Sequence, residues 1–234
     1  MNFKFKLFIV LNLTFTACKD QEAPALGTES SYYQICNTAL SACASGSGNY
    51  CLFGFKWGEG NPFSEKGFDV SGPRAGANGI SFSFQESNGI VNTHKQINVP
   101  SDSFDNIMDC SKDEIRRALN AWESVGNISF LESPENSSSQ IKFYVADILQ
   151  SGVGFPNFPN EPCSNLGGTV IINKAISYPN CDAFYSFALH EIGHVLGLGH
   201  VNSENIMNPD LIGQIADLQD GDIQGVLEIY GSAD

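Results

Sequence analysis

Apolar residues alternate with polar ones at Ile80, Phe82 and Phe84, and again at Ile141, Phe143 and Val145. A two-residue period sends those side chains to one face, so each stretch predicts a strand with one buried face. Between them the period changes. Ile115, Ala118, Leu119 and Trp122 fall at helical spacing, and Ser111 with Glu114 makes the capping-box pattern that opens a helix. Thr169 to Asn173 reads as a further short strand, and roughly Ala183 to Leu196 as a second helix. Ile223, Val226, Leu227 and Tyr230 form the inner stripe of a last helix stopped by Gly231. The proline- and glycine-rich stretch from Gly152 to Leu166, carrying Cys163, reads as a long surface loop. This mixture predicts an α+β domain over residues 55–234. Repeats and internal membrane spans are absent from the sequence.

Upstream the pattern is different. Lys4 and Lys6 precede an apolar run from Leu7 to Phe15, too short to span a membrane but suited to a secretory signal over residues 1–17. Thr16-Ala17-Cys18 resembles a bacterial lipoprotein processing site, with lipidation at Cys18. Phe15 departs from the leucine usual three places before that cysteine, which leaves cleavage near Ala17 without lipidation as the alternative. The acidic Lys19-Asp20-Gln21-Glu22 resembles the surface-export signal of some bacterial lipoproteins. Residues 18–54, poor in apolar period and rich in Ser, Gly, Ala and Cys, read as a tether and a disulfide-pinned segment. The expectation is an exported chain, lipid-anchored to a bacterial outer membrane or cell surface, or otherwise secreted. The lipid anchor is its one expected membrane contact.

Seven cysteines are present, and setting Cys18 aside leaves Cys36, Cys43, Cys51, Cys110, Cys163 and Cys181. An even set in an exported protein predicts three disulfides. Proximity makes Cys163 with Cys181 the first expected pair, and no C-x-x-C spacing points to a metal instead. The net charge of −14 excludes a nucleic-acid binder, which needs clustered Lys and Arg. It is compatible with calcium as a second cation, although such acidity is usually a solvated surface.

The candidate chemistry lies in eleven residues, from His190 to His200, which read H-E-x-x-H-x-x-G-x-x-H. His190 and His194, four residues apart, lie on one face of a helix and can grip one ion. Glu191 projects beside the metal as a general base. Gly197 is a natural helix stop, after which the chain turns and delivers His200 as third ligand. Three protein ligands leave a fourth position open, the mark of a catalytic zinc site. Met207, before Asn208-Pro209, stands where the metzincin pattern places its methionine turn.

From Ala188 to Gly231 the chain resembles the catalytic end of the matrixins, the matrix-metalloproteinase branch of the metzincins. The likeness includes the run from Leu218 to the closing Ile229-Tyr230-Gly231. Trp57, the stretch Ile80 to Phe84 and a helix carrying Ala118 and Trp122 are similar to the start of that domain, its first strand and first helix. The resemblance implies a twisted mixed sheet packed on a first helix and a zinc helix, followed by a Met-turn and a C-terminal helix. It implies an endopeptidase acting on proteins or peptides, with Met207 supporting the histidines from beneath. Pro209, Asp210 and Leu211 would wall the pocket for the substrate residue after the cleaved bond, with Leu211 where the family has tyrosine. Ser186 is small, which leaves that pocket deep and suited to a large apolar side chain. The upper rim would bind substrate as an added strand.

Histidine content departs from the family. Only His94, His190, His194 and His200 are present. Where matrixins hold a second, structural zinc, this chain has Gly167 to Asn173, with Ile171 in place of histidine and Thr169 and Asn173 in place of aspartates. One catalytic zinc is expected, and His94 reads as an exposed loop residue. A matrixin-like pro-segment cysteine could come from Cys36, Cys43 or Cys51, but the even count favours disulfides. The chain is expected to be a monomer. Two rival functions are a non-peptidase zinc amidohydrolase and a surface lipoprotein binding a host or cell-wall partner with a vestigial site. The intact Glu191 argues against the second.

Overall fold

Strand β7 (Ile141–Ala146) is the line along which the main sheet is assembled in this computed structural model. On one edge it pairs in parallel with β3 (Ile80–Gln85), from Ile141 to Tyr144; β5 (Val99–Asp102) then takes Val145 and Ala146 in antiparallel register. Its other edge pairs in parallel with β9 (Thr169–Asn173). The sheet is completed by β4 (Ile90–Val91) on β5, β6 (Phe130–Glu132) on β3, and the antiparallel edge strand β8 (Gly152–Gly154) on β9. A smaller sheet joins β1 (Ser45–Gly46), β2 (Cys51–Leu52) and β10 (Leu198–Gly199). The structure describes Cys36, Leu40, Cys43 and residues 45–46, 48–58, 79–86, 89–158 and 163–233. The expected signal segment and Cys18 lie outside these residues, as does residues 19–35 of the expected tether.

Strand alternation holds as the sequence predicts: Ile80, Phe82 and Phe84 on β3, and Ile141, Phe143 and Val145 on β7, are all buried. They meet helix α1 (Ser111–Glu123), whose Ile115, Ala118, Leu119 and Trp122 form its buried stripe. Helix α2 (Cys181–Leu196) packs along α1, and helix α3 (Asp220–Tyr230) closes the domain. β9 is buried at every position because it lies between β7 and β8, which explains its unbroken apolar run. Among the described residues no helix is long and apolar enough to cross a membrane.

Five expectations are corrected. The N-cap of α1 is Cys110, with no side-chain cap bond, so Ser111 does not form a capping box with Glu114. The capping box belongs to α3, between Gln219 and Asp222. The stretch from Gly152 is not wholly a surface loop: it opens as β8, and Phe155 and Phe158 are buried. The inner face of α3 is turned slightly, so that Val226, Ile229 and Tyr230 are buried while Ile223 and Leu227 are half-buried. His94 is buried beneath Phe155, not exposed, because Thr93 folds its loop inward by accepting from the N–H groups of Lys95 and Gln96.

The fifth concerns the disulfides. Three form, as the even count predicts, but Cys163 pairs with Cys36 and Cys181 with Cys110, leaving Cys43 with Cys51. The β9 strand carries the chain away between Cys163 and Cys181, so closeness in sequence does not become closeness in space. Cys110–Cys181 instead ties the start of α1 to the start of α2.

Candidate active site

Helix α2 carries the first two histidines and the glutamate, and both its ends are fastened. At the start, the Asn180 side chain accepts from Ala183 N–H at 2.8 Å, satisfying one orphan donor. At the end, Gly197 sits at φ 106°, a left-handed conformation that ends the helix and reverses the chain. Its N–H reaches the carbonyls of Gly193 and His194. The next two carbonyls are claimed from far away in sequence. Val195 accepts from Trp57 Nε1 at 2.9 Å, and Leu196 accepts from Tyr230 Oη–H at 2.9 Å. Trp57 N–H in turn donates to Tyr230 Oη. Every terminal carbonyl of the helix is thus satisfied within the protein.

The reversal at Gly197 brings His200 back over the helix. Its Nε2 lies 3.1 Å from His190 Nε2 and 3.0 Å from His194 Nε2. Three imidazole nitrogens this close are not hydrogen-bonded to one another in any satisfying pattern, since at least one pair must face lone pair to lone pair. They suit a single tetrahedral cation with metal–nitrogen distances of about 2.0–2.1 Å. The tautomers support this. His190 Nδ1–H donates to the Ile206 carbonyl at 2.7 Å and His194 Nδ1–H to the Leu198 carbonyl at 2.8 Å, leaving both Nε2 lone pairs free for a ligand role. Burial pulls the His190 pKa down to about 4 and that of His194 well below its ordinary value, so both rings are neutral near pH 7. Among the described residues the other close group of donors is Cys110, Glu114 and Cys181, whose cysteines are already joined. The donor set fits zinc.

Glu191 is buried beside the triad. Desolvation pushes its pKa up to about 8, against the opposing pull of the Gly154 backbone N–H. Among the described residues its Oε2 has no hydrogen-bond partner. Beneath the histidines, Met207 is buried against Gly193, and its N–H donates to Asp222 Oδ1 at 3.2 Å. Asp222 Oδ2 accepts from Ile206 and Gln219, each at 2.8 Å. One buried carboxylate therefore holds the turn that carries both Met207 and the carbonyl that orients His190. On the opposite side, Phe53 stacks on His194 with ring centroids 5.6 Å apart.

The triad and Glu191 open into a cavity of about 510 Å³, rimmed by β8 and by Phe53. Of the residues read from sequence as a substrate pocket, Pro209 lines it. Ser186 is buried with its Oγ accepting from Gly213 N–H at 2.8 Å, and Asp210 and Leu211 lie outside the lining, where Ile212 stands instead. Asp222, Phe53 and Trp57 were not legible as site-supporting residues. A carboxylate at the third position of a helix was the only signal for Asp222, and nothing marked Phe53.

Residues 161–231 match the family described as Matrixin. The chain is 34% identical over 141 residues to Metalloendoproteinase 1-MMP of Arabidopsis thaliana, covering 51% of this chain and 38% of that protein. It is 30% identical over 142 residues to the hatching enzyme of Paracentrotus lividus, covering 52% and 22% respectively. To human matrix metalloproteinase-16 it is 30% identical over 145 residues, covering 51% and 24%. The matches thus span well under half the length of these relatives. Together with the mixed sheet, the three α-helices among the described residues and the turn at Met207, they support an α+β, metzincin-like fold similar to that of the matrixins.

Proposed function

We propose that this chain is a zinc-dependent endopeptidase that hydrolyses peptide bonds in extracellular proteins. The observation that carries the reading is the convergence of His190, His194 and His200 Nε2 beside a buried Glu191 whose Oε2 has no partner. The three histidines would hold one zinc, which when bound supplies Lewis acidity toward a carbonyl oxygen and an acidified water. Glu191 is placed to take the proton of the attacking water on Oε2 and to return it to the leaving amine nitrogen. Its burial raises its affinity for that proton, and a bound zinc would oppose the rise and favour the carboxylate that accepts it.

Strand β8 supports an extended peptide as substrate. Ser151 and Phe155 direct their hydrogen bonds toward β9, so by alternation Gly152 turns its main-chain groups, and Gly154 its carbonyl, toward the cleft, while the Gly154 N–H is held by Glu191. A peptide laid along that edge extends the sheet and crosses the histidines. The three disulfides support an oxidising, extracellular destination. The signal-like start supports export, and Cys18 supports a lipid anchor; metabolic acyl labelling that persists in Cys18→Ala would overturn the anchor.

The test is digestion of casein or gelatin by the purified protein. Activity is expected to vanish with 1,10-phenanthroline, return with zinc, and fall by about 10²–10⁴ or more in Glu191→Ala with zinc still bound. Undiminished activity in that variant would overturn the mechanism, and absence of cleavage by zinc-loaded wild type would overturn the function.

A further inference from the structure

Four of the five buried side-chain polar atoms without a partner among the described residues belong to residues that line one cavity. Glu191 Oε2 is accounted for by the proposed chemistry. The other three are His94 Nδ1, Gln150 Nε2 and Gln150 Oε1, and the chemistry at the histidine triad uses none of them. An unpaired buried donor or acceptor is destabilising, so three on neighbouring loops call for a ligand.

The wall is built, not accidental. His94 is 7% exposed and its ring edge rests on Phe155, with centroids 5.6 Å apart. Its loop is tied to the Gln150 loop by Gln96, whose Oε1 accepts from Leu149 N–H at 2.8 Å. The Gln150 loop is tied to β9 by Asn173, whose Nδ2 donates to the carbonyls of Ile148 and Gln150, each at 2.7 Å. Both loops thus have fixed backbones, and both His94 and Gln150 line the cavity beside β8. A peptide lying along β8 delivers one of its side chains to this spot.

We propose that His94 and Gln150 form a subsite for a substrate side chain that is neutral and both donates and accepts, a carboxamide above all. This rests on the endopeptidase reading. Gln150 offers one donor and one acceptor, the complement of an Asn or Gln side chain. Burial also holds His94 neutral, with its pKa down to about 4. A charged side chain would find no counter-charge from His94 or Gln150, and desolvating it costs far more than desolvating an amide. A leucine would leave all three atoms unpaired.

The test uses zinc-loaded Glu191→Gln protein and fluorescent peptides that differ only by Gln, Leu, Glu or Lys at successive positions around the cleavage site. At one position Gln is expected to bind at least about tenfold tighter than Leu, Glu or Lys. Adding Gln150→Leu should abolish or reverse the Gln-over-Leu ratio; Gln150→Met serves if the leucine variant is not folded by thermal melting. Equal binding of the Gln and Leu peptides at every position, or a ratio unchanged in the Gln150 variants, overturns the subsite. Cleavage of the same peptides by the wild-type protein is scored separately: selective binding without cleavage keeps the subsite and rejects the endopeptidase.

Discussion

The thioether of Met207 lies against the α-carbon of Gly193, where a β-carbon would overlap its sulfur and press on Trp122. The glycine inside the zinc motif is therefore a packing requirement between the helix and the turn beneath it. Gly193→Ala sets two effects against each other. Alanine favours a helix interior by up to about 1 kcal/mol. Overpacking costs about 1–3 kcal/mol, and here both neighbours are buried and unable to retreat. Packing wins. The variant should melt at a lower temperature and hold zinc more weakly, as read by calorimetry and a competing chelator.

Asp222 is expected to matter as much as a ligand without touching the metal. Asp222→Ala removes the acceptor of three backbone N–H groups, those of Ile206, Met207 and Gln219. With charge-assisted bonds worth about 1.5–3 kcal/mol each and the donors partly rescued by water, a net loss of about 2–4 kcal/mol is expected. Zinc affinity should fall with it, because Ile206 also carries the carbonyl that orients His190. Chemical denaturation and zinc titration of Asp222→Ala check both; Asp222→Asn should lose less, since it keeps one acceptor.

The Cys110–Cys181 bond closes a separation of 71 residues between the first turns of α1 and α2. Chain entropy assigns a loop of that length about 4 kcal/mol. The double variant Cys110→Ser/Cys181→Ser should unfold at a markedly lower guanidinium concentration, with a transition at least as steep because the unfolded chain is freer to expand. An unchanged midpoint would show that the packing of the two helices alone fixes their ends.

For the metal-stripped protein, the signs of the pKa shifts predict a maximum of stability near pH 6.5. His94 and His190 have folded pKa values near 4, below the ordinary 6.5. Between those values the unfolded chain binds more protons, so stability falls as pH drops from 6.5 toward 4. Glu191 is shifted the other way, to about 8 from 4.5. It releases its proton first in the unfolded chain, so it lowers stability as pH rises from 4.5 to about 8, a slope no longer offset once the histidines are neutral. Melting curves in EDTA from pH 4 to 9 should peak near 6.5. In Glu191→Gln the decline on the alkaline side should disappear.

The clustering of His190, His194 and His200 was legible because they lie within one helix and its turn, where spacing alone sets geometry: His190 to His194 is one helical turn, and Gly197 supplies the reversal. The strands at Ile80 and Ile141 and the stripe of α1 were legible for the same local reason. What escaped depends on contacts between distant segments. Phe53 reaches His194, Trp57 reaches Val195, and Cys36 reaches Cys163, and no periodicity encodes those meetings. His94 was misplaced because a polar neighbourhood in sequence, Asn92 to Lys95, is folded by its own Thr93 into a buried turn.

The clasp of Trp57 and Tyr230 on the end of α2 joins residues 173 apart, and it imposes an order on synthesis. A growing chain that has emerged through His200 already possesses all three clustered histidines, yet the carbonyl of Leu196 still waits for a hydroxyl thirty-four positions further on. The helix end beneath the histidines gains its last hydrogen-bond donor only once that final helix has docked.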